Sequence, residues 1–186
     1  TAAVADPLVL RILRLVLVAA GFLCLFEFAR SGCRRLGMRA PGPWILPVAA
    51  ALAAVGGIAG LSGAEATVRY ALGLTGSLWA AYAIWKYRAT HYQGNPCLAL
   101  ASISFGVFAL LAGVIVDPAD FEPARSLNTA SFLESAQFPV QVLRACAAFA
   151  VGAALWRHSR LIVRREHPGV AGHWPIARFG WVLVVL

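Results

Sequence analysis

The sequence predicts an all-α protein: a polytopic transmembrane helical bundle of five full spans followed by a truncated sixth. Three observations carry that reading. Apolar residues make up 60% of the 186-residue chain and charged residues 13%, about half the charged share of a soluble domain. Several apolar runs approach or reach the roughly 20 residues that cross a bilayer as a helix. The basic residues gather in short loops between those runs, which is the pattern of the positive-inside rule.

Residues 1–7 form a short polar lead ending in Asp6-Pro7, and no cleavable signal peptide is evident in them. The first span covers residues 8–28, with Arg11 and Arg14 near its start and Glu27 near its end. A basic loop with Arg30, Arg34, Arg35 and Arg39 follows, and its Pro41-Gly42-Pro43 punctuation forbids helix continuation. The second span, residues 44–61, is rich in Ala and Gly. Its Gly56 and Gly60, four apart, offer a small face for close helix contact, and Pro47 is placed to kink it. A tight turn at residues 62–65 leads to the third span, residues 66–87. There Glu65 and Arg69 are four apart and can pair along one helix face.

The fourth span is residues 97–116. The loop 117–137 is acidic, with Asp117, Asp120, Glu122 and Glu134 against Arg125. Residues 138–156 make the fifth span, with Pro139 in its first turn, where a missing N–H costs nothing. Gln141 and Arg144 come next, then a run of small residues that includes Ala148 and Gly152 and suits backbone-to-backbone packing. Residues 176–186 are too short to span and read as the opening of a sixth helix. The expected division is therefore a bundle at 1–174 and the start of a further helix at 175–186.

Eleven of the sixteen Lys and Arg residues fall on the side of the first, third and fifth loops. Only Arg69 and Arg125 fall on the other, and Arg11, Arg14 and Arg144 lie within spans. The skew places the basic loops in the cytoplasm and the 117–137 loop outside. Trp44, Trp85 and Trp156 then all sit at inner-face helix ends, as an interfacial belt requires. The N-terminus lands outside without a visible signal, so a preceding span and an incomplete chain at both ends are expected.

Several function classes drop out. The net charge of +8 is not spread over one soluble face interleaved with aromatics, so nucleic acid is not the expected partner. Cys24, Cys33, Cys97 and Cys146 have neither CxxC nor regular spacing, and no disulfide framework or metal site follows. No HExxH, GxSxG or P-loop pattern occurs. His91, His158, His167 and His173 sit in or beside inner loops, whereas a membrane haem wants histidines facing each other inside spans. No cofactor is expected. Glu27 is the single carboxylate placed inside a span, and Arg30 and Arg34 beside it account for it by local charge neutralisation.

The candidate site is the set of arginines in the outer half of the bilayer. An arginine at a helix centre costs roughly 3 kcal/mol on insertion scales. Arg144 either snorkels outward to the headgroups or faces the bundle as part of a polar site. Arg11, Arg14 and Arg144 share the outer end with Arg69, Arg125 and the carboxylates of Asp6, Glu65, Asp117, Asp120, Glu122 and Glu134. One reading is a mesh of salt bridges closing that end. The other is a pocket for a small anionic ligand, because guanidinium forks match carboxylates bidentately. Its residues would be Arg144, Gln141, Arg14, Arg11 and Glu134.

Four phrases carry a family resemblance: LFEFARSGCRRL at 25–36, GPWILP at 42–47, VRYALGL at 68–74 and FPVQVLRA at 138–145. In this order of spans and loops the chain resembles the N-terminal multi-span region of bacterial PAS-containing sensor histidine kinases and GGDEF diguanylate cyclases. The resemblance implies signal input in the bacterial cytoplasmic membrane, ahead of a kinase or cyclase output through which the protein would form a homodimer. It also implies an additional N-terminal span. Two other readings stay open: a structural or assembly subunit of a larger membrane complex, and a small transporter.

Overall fold

The computed structural model describes residues 7–119 and 121–166. Among these, helices and their connections account for everything, with one isolated bridge between Val116 and Asn128. The helices are α1 (Pro7–Arg35), α2 (Ile45–Val55), α3 (Gly60–Val68), α4 (Thr75–His91), α5 (Pro96–Gly113), α6 (Thr129–Ala136) and α7 (Val140–Glu166). A 3-10 turn, Gly56–Ala59, joins α2 to α3, and a π-helical segment, Arg69–Leu74, joins α3 to α4. Among the described residues, four helical runs are long and apolar enough to cross a membrane: Pro7–Arg35, Ile45–His91, Pro96–Gly113 and Val140–Arg165. The expected sixth helix, residues 176–186, lies outside the described residues.

By length and composition the expected second and third spans form one run of 47 residues. Its path is nevertheless a hairpin. A Cβ on Gly56 would collide with Thr67 Oγ1 and fall 2.6 Å from the Gly63 carbonyl oxygen, whereas a straight helix would hold Gly56 and Thr67 roughly 16 Å apart. The reversal falls at residues 56–60, where Gly60 has φ +80°, a value glycine adopts without steric cost. The expected turn at residues 62–65 is instead helical, within α3. Gly56 and Gly60 therefore lie in the turn, where Gly56 allows close contact with Gly63 and Thr67 and nothing lies near Gly60. Pro47 sits in the first turn of α2, where an N–H would have no helical partner.

α4 packs between α1 and α5, and α5 between α4 and α7, while α2 lies against α3 and the π segment. Close approach comes from small residues, as expected where lipid supplies no hydrophobic drive between helices. A Cβ on Gly113 would fall 2.5 Å from Leu74 Cβ, and one on Gly73 would fall 2.9 Å from the Phe22 ring. Phe22, Ala49, Ala53, Val68, Leu72 and Ala112 form one buried cluster, and Ile84, Leu98, Ala101 and Ala154 a second. The Ser102 hydroxyl donates to the Ala81 carbonyl at 2.8 Å across the α4–α5 contact. Outward, Leu10, Leu13, Val16 and Leu17 of α1 are exposed, the surface that lipid would cover.

Three local departures from the sequence reading have clear causes. α1 continues through the expected basic loop to Arg35, because Ala29, Arg30 and Cys33 are buried and Arg30 pairs bidentately with Glu27, both N···O distances being 2.6 Å. The acidic loop contains α6, started by a capping box in which the Asn128 side chain accepts from Ala130 N and Ser131 N. His158 lies inside α7, buried, rather than in a loop.

Candidate functional site

The buried stripe of α7 runs Val140, Ala147, Val151, Ala154 and His158, a four-three alternation that turns one face to α5. Arg144 falls in register with this stripe and does not snorkel outward. Its Nε donates to the Leu111 carbonyl at 2.9 Å, and an Nη donates to the Ile115 carbonyl. Leu111 lies in the last turn of α5 and Ile115 just beyond it, where helix carbonyls lack intrahelical partners and carry partial negative charge. Arg144 is thus a helix cap supplied by a neighbouring helix.

Asp117 follows immediately. Its carboxylate meets Arg14 of α1 at 3.7 Å and accepts from the Thr129 hydroxyl at 3.2 Å, at the first residue of α6. Arg69 opens the π segment and shares the electrostatic surroundings of Asp117, Glu65 and Arg14. Glu65, on α3 and only 8% exposed, has an oxygen with no hydrogen-bond partner. It lines a cavity of about 10 Å³ with Arg14, Leu15, Val18 and Arg69, room for about one water. Five charges from α1, α3, the π segment, the loop after α5, and α7 are therefore collected at one end of the bundle. The opposite end carries the last turns of α1, α4 and α7 with their basic residues.

Of the expected ligand residues, Arg14 and Arg144 enter this cluster. Arg11 is exposed one turn nearer the start of α1, Gln141 is exposed at the start of α7, and Glu134 is exposed on α6. Ala148 and Gly152 lie one position past Ala147 and Val151, so they are rotated off the α5 contact and exposed, with nothing near a Cβ on Gly152. The salt-bridge mesh is sparse: among the described residues the ion pairs are Arg14–Asp117 and Arg30–Glu27. Asp6 and Asp120 lie outside the described residues.

Glu65, Arg69 and Asp117 are the members that sequence reasoning did not select for the ligand pocket. Glu65 was expected at the end of a turn, paired with Arg69 four residues on, and its place inside a helix at the cluster was not. It is a second carboxylate inside a candidate membrane run, beside Glu27. No grouping of His, Cys, Asp and Glu among the described residues could hold a metal ion.

Fold and site together define a class: an all-helical bundle with membrane-length apolar helices and an internal arginine–carboxylate cluster. No protein-family model, curated protein or solved structure matches the chain.

Proposed function

We propose that the chain is the signal-input bundle of a bacterial membrane sensor, set in the cytoplasmic membrane with its basic end inside and its cluster end outside. In this reading α1, α2, the α3–α4 rod, α5 and α7 make five crossings, the reversal at Gly60 separating the second from the third. The observation that supports it is the Arg14–Asp117 contact. Asp117 is held on one side by α1 and on the other by the first residue of α6, so it is a clasp between elements that could otherwise move apart.

A small anionic ligand that captured the half-exposed Arg14 guanidinium would release Asp117, and with it the 117–128 loop. Such a ligand shifts the bundle only by its difference in affinity between clasped and released states. The shift would pass along α7, whose stripe is seated on α5, to the basic end and a kinase or cyclase output beyond it.

The test is amide hydrogen exchange on the chain in lipid nanodiscs, comparing the native protein with Arg14→Gln. Altered protection at residues 157–166, at the far end of α7, is the expected result. Changes confined to residues 7–20 and 114–130 would overturn coupling and leave a static closure.

A further inference from the structure

At the basic end, the α4–α5 corner and the last turns of α7 enclose a cleft of about 390 Å³. Its walls include His91, Gln93 and Asn95 from the corner, with Leu161 and Arg165 from α7. The corner is fixed rather than loose. Gly94 adopts φ +79°, and Asn95 Oδ1 accepts from Cys97 N at 2.9 Å and Leu98 N at 3.3 Å. The Arg88 Nε donates to the Asn95 carbonyl at 3.1 Å, and Gln93 Nε2 donates to the Ala89 carbonyl at 3.3 Å. The Asn95 side-chain nitrogen meets His158 Nδ1 at 3.1 Å, pinning α7 to the corner one turn before Leu161. The first free N–H groups of α5 are already taken by Asn95, so the recognition elements are side chains, not the helix end.

Those side chains have a consistent chemistry. Among the described residues, Arg165 and His91 supply donor groups, Gln93 supplies an amide, and none of the side chains lining the cleft is a carboxylate. Leu161 and Pro96 supply an apolar wall. Leu161 and Arg165 are four apart, so one face of α7 offers an apolar surface and then a guanidinium. Arg88, which donates to the Asn95 carbonyl, also stacks over the exposed Trp85 ring at 4.9 Å, an arrangement suited to the water–lipid boundary. A phosphodiester matches the donors, and a glycerol backbone with its ester ends matches the apolar wall.

We propose that this cleft binds the headgroup of an anionic phospholipid, its phosphate on Arg165 and its glycerol against Leu161. Basic pockets between helix ends are a recurrent form of such sites. Free inorganic phosphate shares the charge but has no use for the apolar wall.

The experiment is native mass spectrometry of the chain released from nanodiscs of phosphatidylcholine with phosphatidylglycerol. The expected result is selective retention of phosphatidylglycerol, weakened about fivefold by Arg165→Gln, the effect of losing one basic side chain at a membrane surface. Leu161→Trp, which replaces the apolar wall with a bulkier ring and narrows the cleft, should weaken lipid retention while leaving helicity unchanged. Arg160→Gln should retain it, because Arg160 is exposed about 140° round α7 from Arg165. Equal weakening by Arg160→Gln would show general surface charge and overturn the proposal. So would equal retention of phosphatidylcholine, or displacement of the lipid by inorganic phosphate.

Discussion

Arg144 on α7 closes the end of α5 by donating from Nε to the Leu111 carbonyl at 2.9 Å. Through it and its second bond, to the Ile115 carbonyl, an apparent liability of the sequence becomes a tie between two helices. Hydrogen bonds to charged groups contribute about 1.5–3 kcal/mol each, and two on one side chain are not additive. Arg144→Leu is therefore expected to destabilise the bundle by about 2–4 kcal/mol. Arg144→Lys, which keeps the charge but not the fork, should recover about half of that loss. Unfolding of the detergent-solubilised chain by SDS, followed by circular dichroism, checks both. An unchanged midpoint in Arg144→Leu would remove the capping role.

Asp117 gives the opposite expectation. Its contact with Arg14 is long and the two side chains are 34% and 58% exposed. Pairs of that kind contribute less than about 1 kcal/mol. Asp117→Asn should leave stability within that margin while raising hydrogen exchange at the start of α6, where Thr129 loses its charged acceptor. A large stability loss would mean that Asp117 is a structural pillar and not a clasp.

The glycines separate tight packing from open surface. Gly113→Ala puts a methyl group within 2.5 Å of Leu74, backbone included in the crowding, and overpacking of this kind costs about 1–3 kcal/mol. Gly152→Ala meets nothing within 4 Å and should be neutral or stabilising by up to about 1 kcal/mol from helix propensity. Thermal unfolding of the two variants side by side decides it. If they lose stability equally, the α5–π segment contact is not as close as described.

Asn95 combines two duties, capping α5 and holding His158. Asn95→Ala should cost about 1–2 kcal/mol for the cap alone. Asn95→Asp keeps a cap acceptor but loses the Nδ2 group, so it isolates the His158 contact. A His158 imidazole NMR signal unchanged in Asn95→Asp would show that the histidine is held by Tyr92 and Tyr87 packing instead.

Much of the architecture was legible because hydropathy is a long, redundant signal, and one wrong residue does not erase a span. Turn positions are short signals and were less secure. Ser62-Gly63 looked like a turn, but Gly60 alone supplies the positive φ, and Ser62 to Glu65 continue as helix. Arg14 and Arg144 stood out because charge inside an apolar run is conspicuous. Glu65 did not, because the expected turn ended on it and left it just outside the third span. Gln141 and Arg11 were grouped by sequence proximity to Arg144 and Arg14, whereas burial follows the helical stripe. Arg144 is four residues from Val140 and in its register; Gln141 is one residue from Val140 and about 100° away.

The π segment Arg69–Leu74 sets the rotational phase of the rod that contains it. A π turn takes one more residue than an α turn to complete its hydrogen-bonded ring, so α4 is advanced about 100° relative to a continuous α-helix from α3. That offset lets Leu72 and Gly73 meet Phe22 while Arg69 remains at the cluster. It also determines which side of α4 presents Ala80, Ala83 and Ile84 to the interior. Removing one residue from this segment would act like turning a key. α3 would keep its place, and all of α4 would rotate as a unit against α1 and α5.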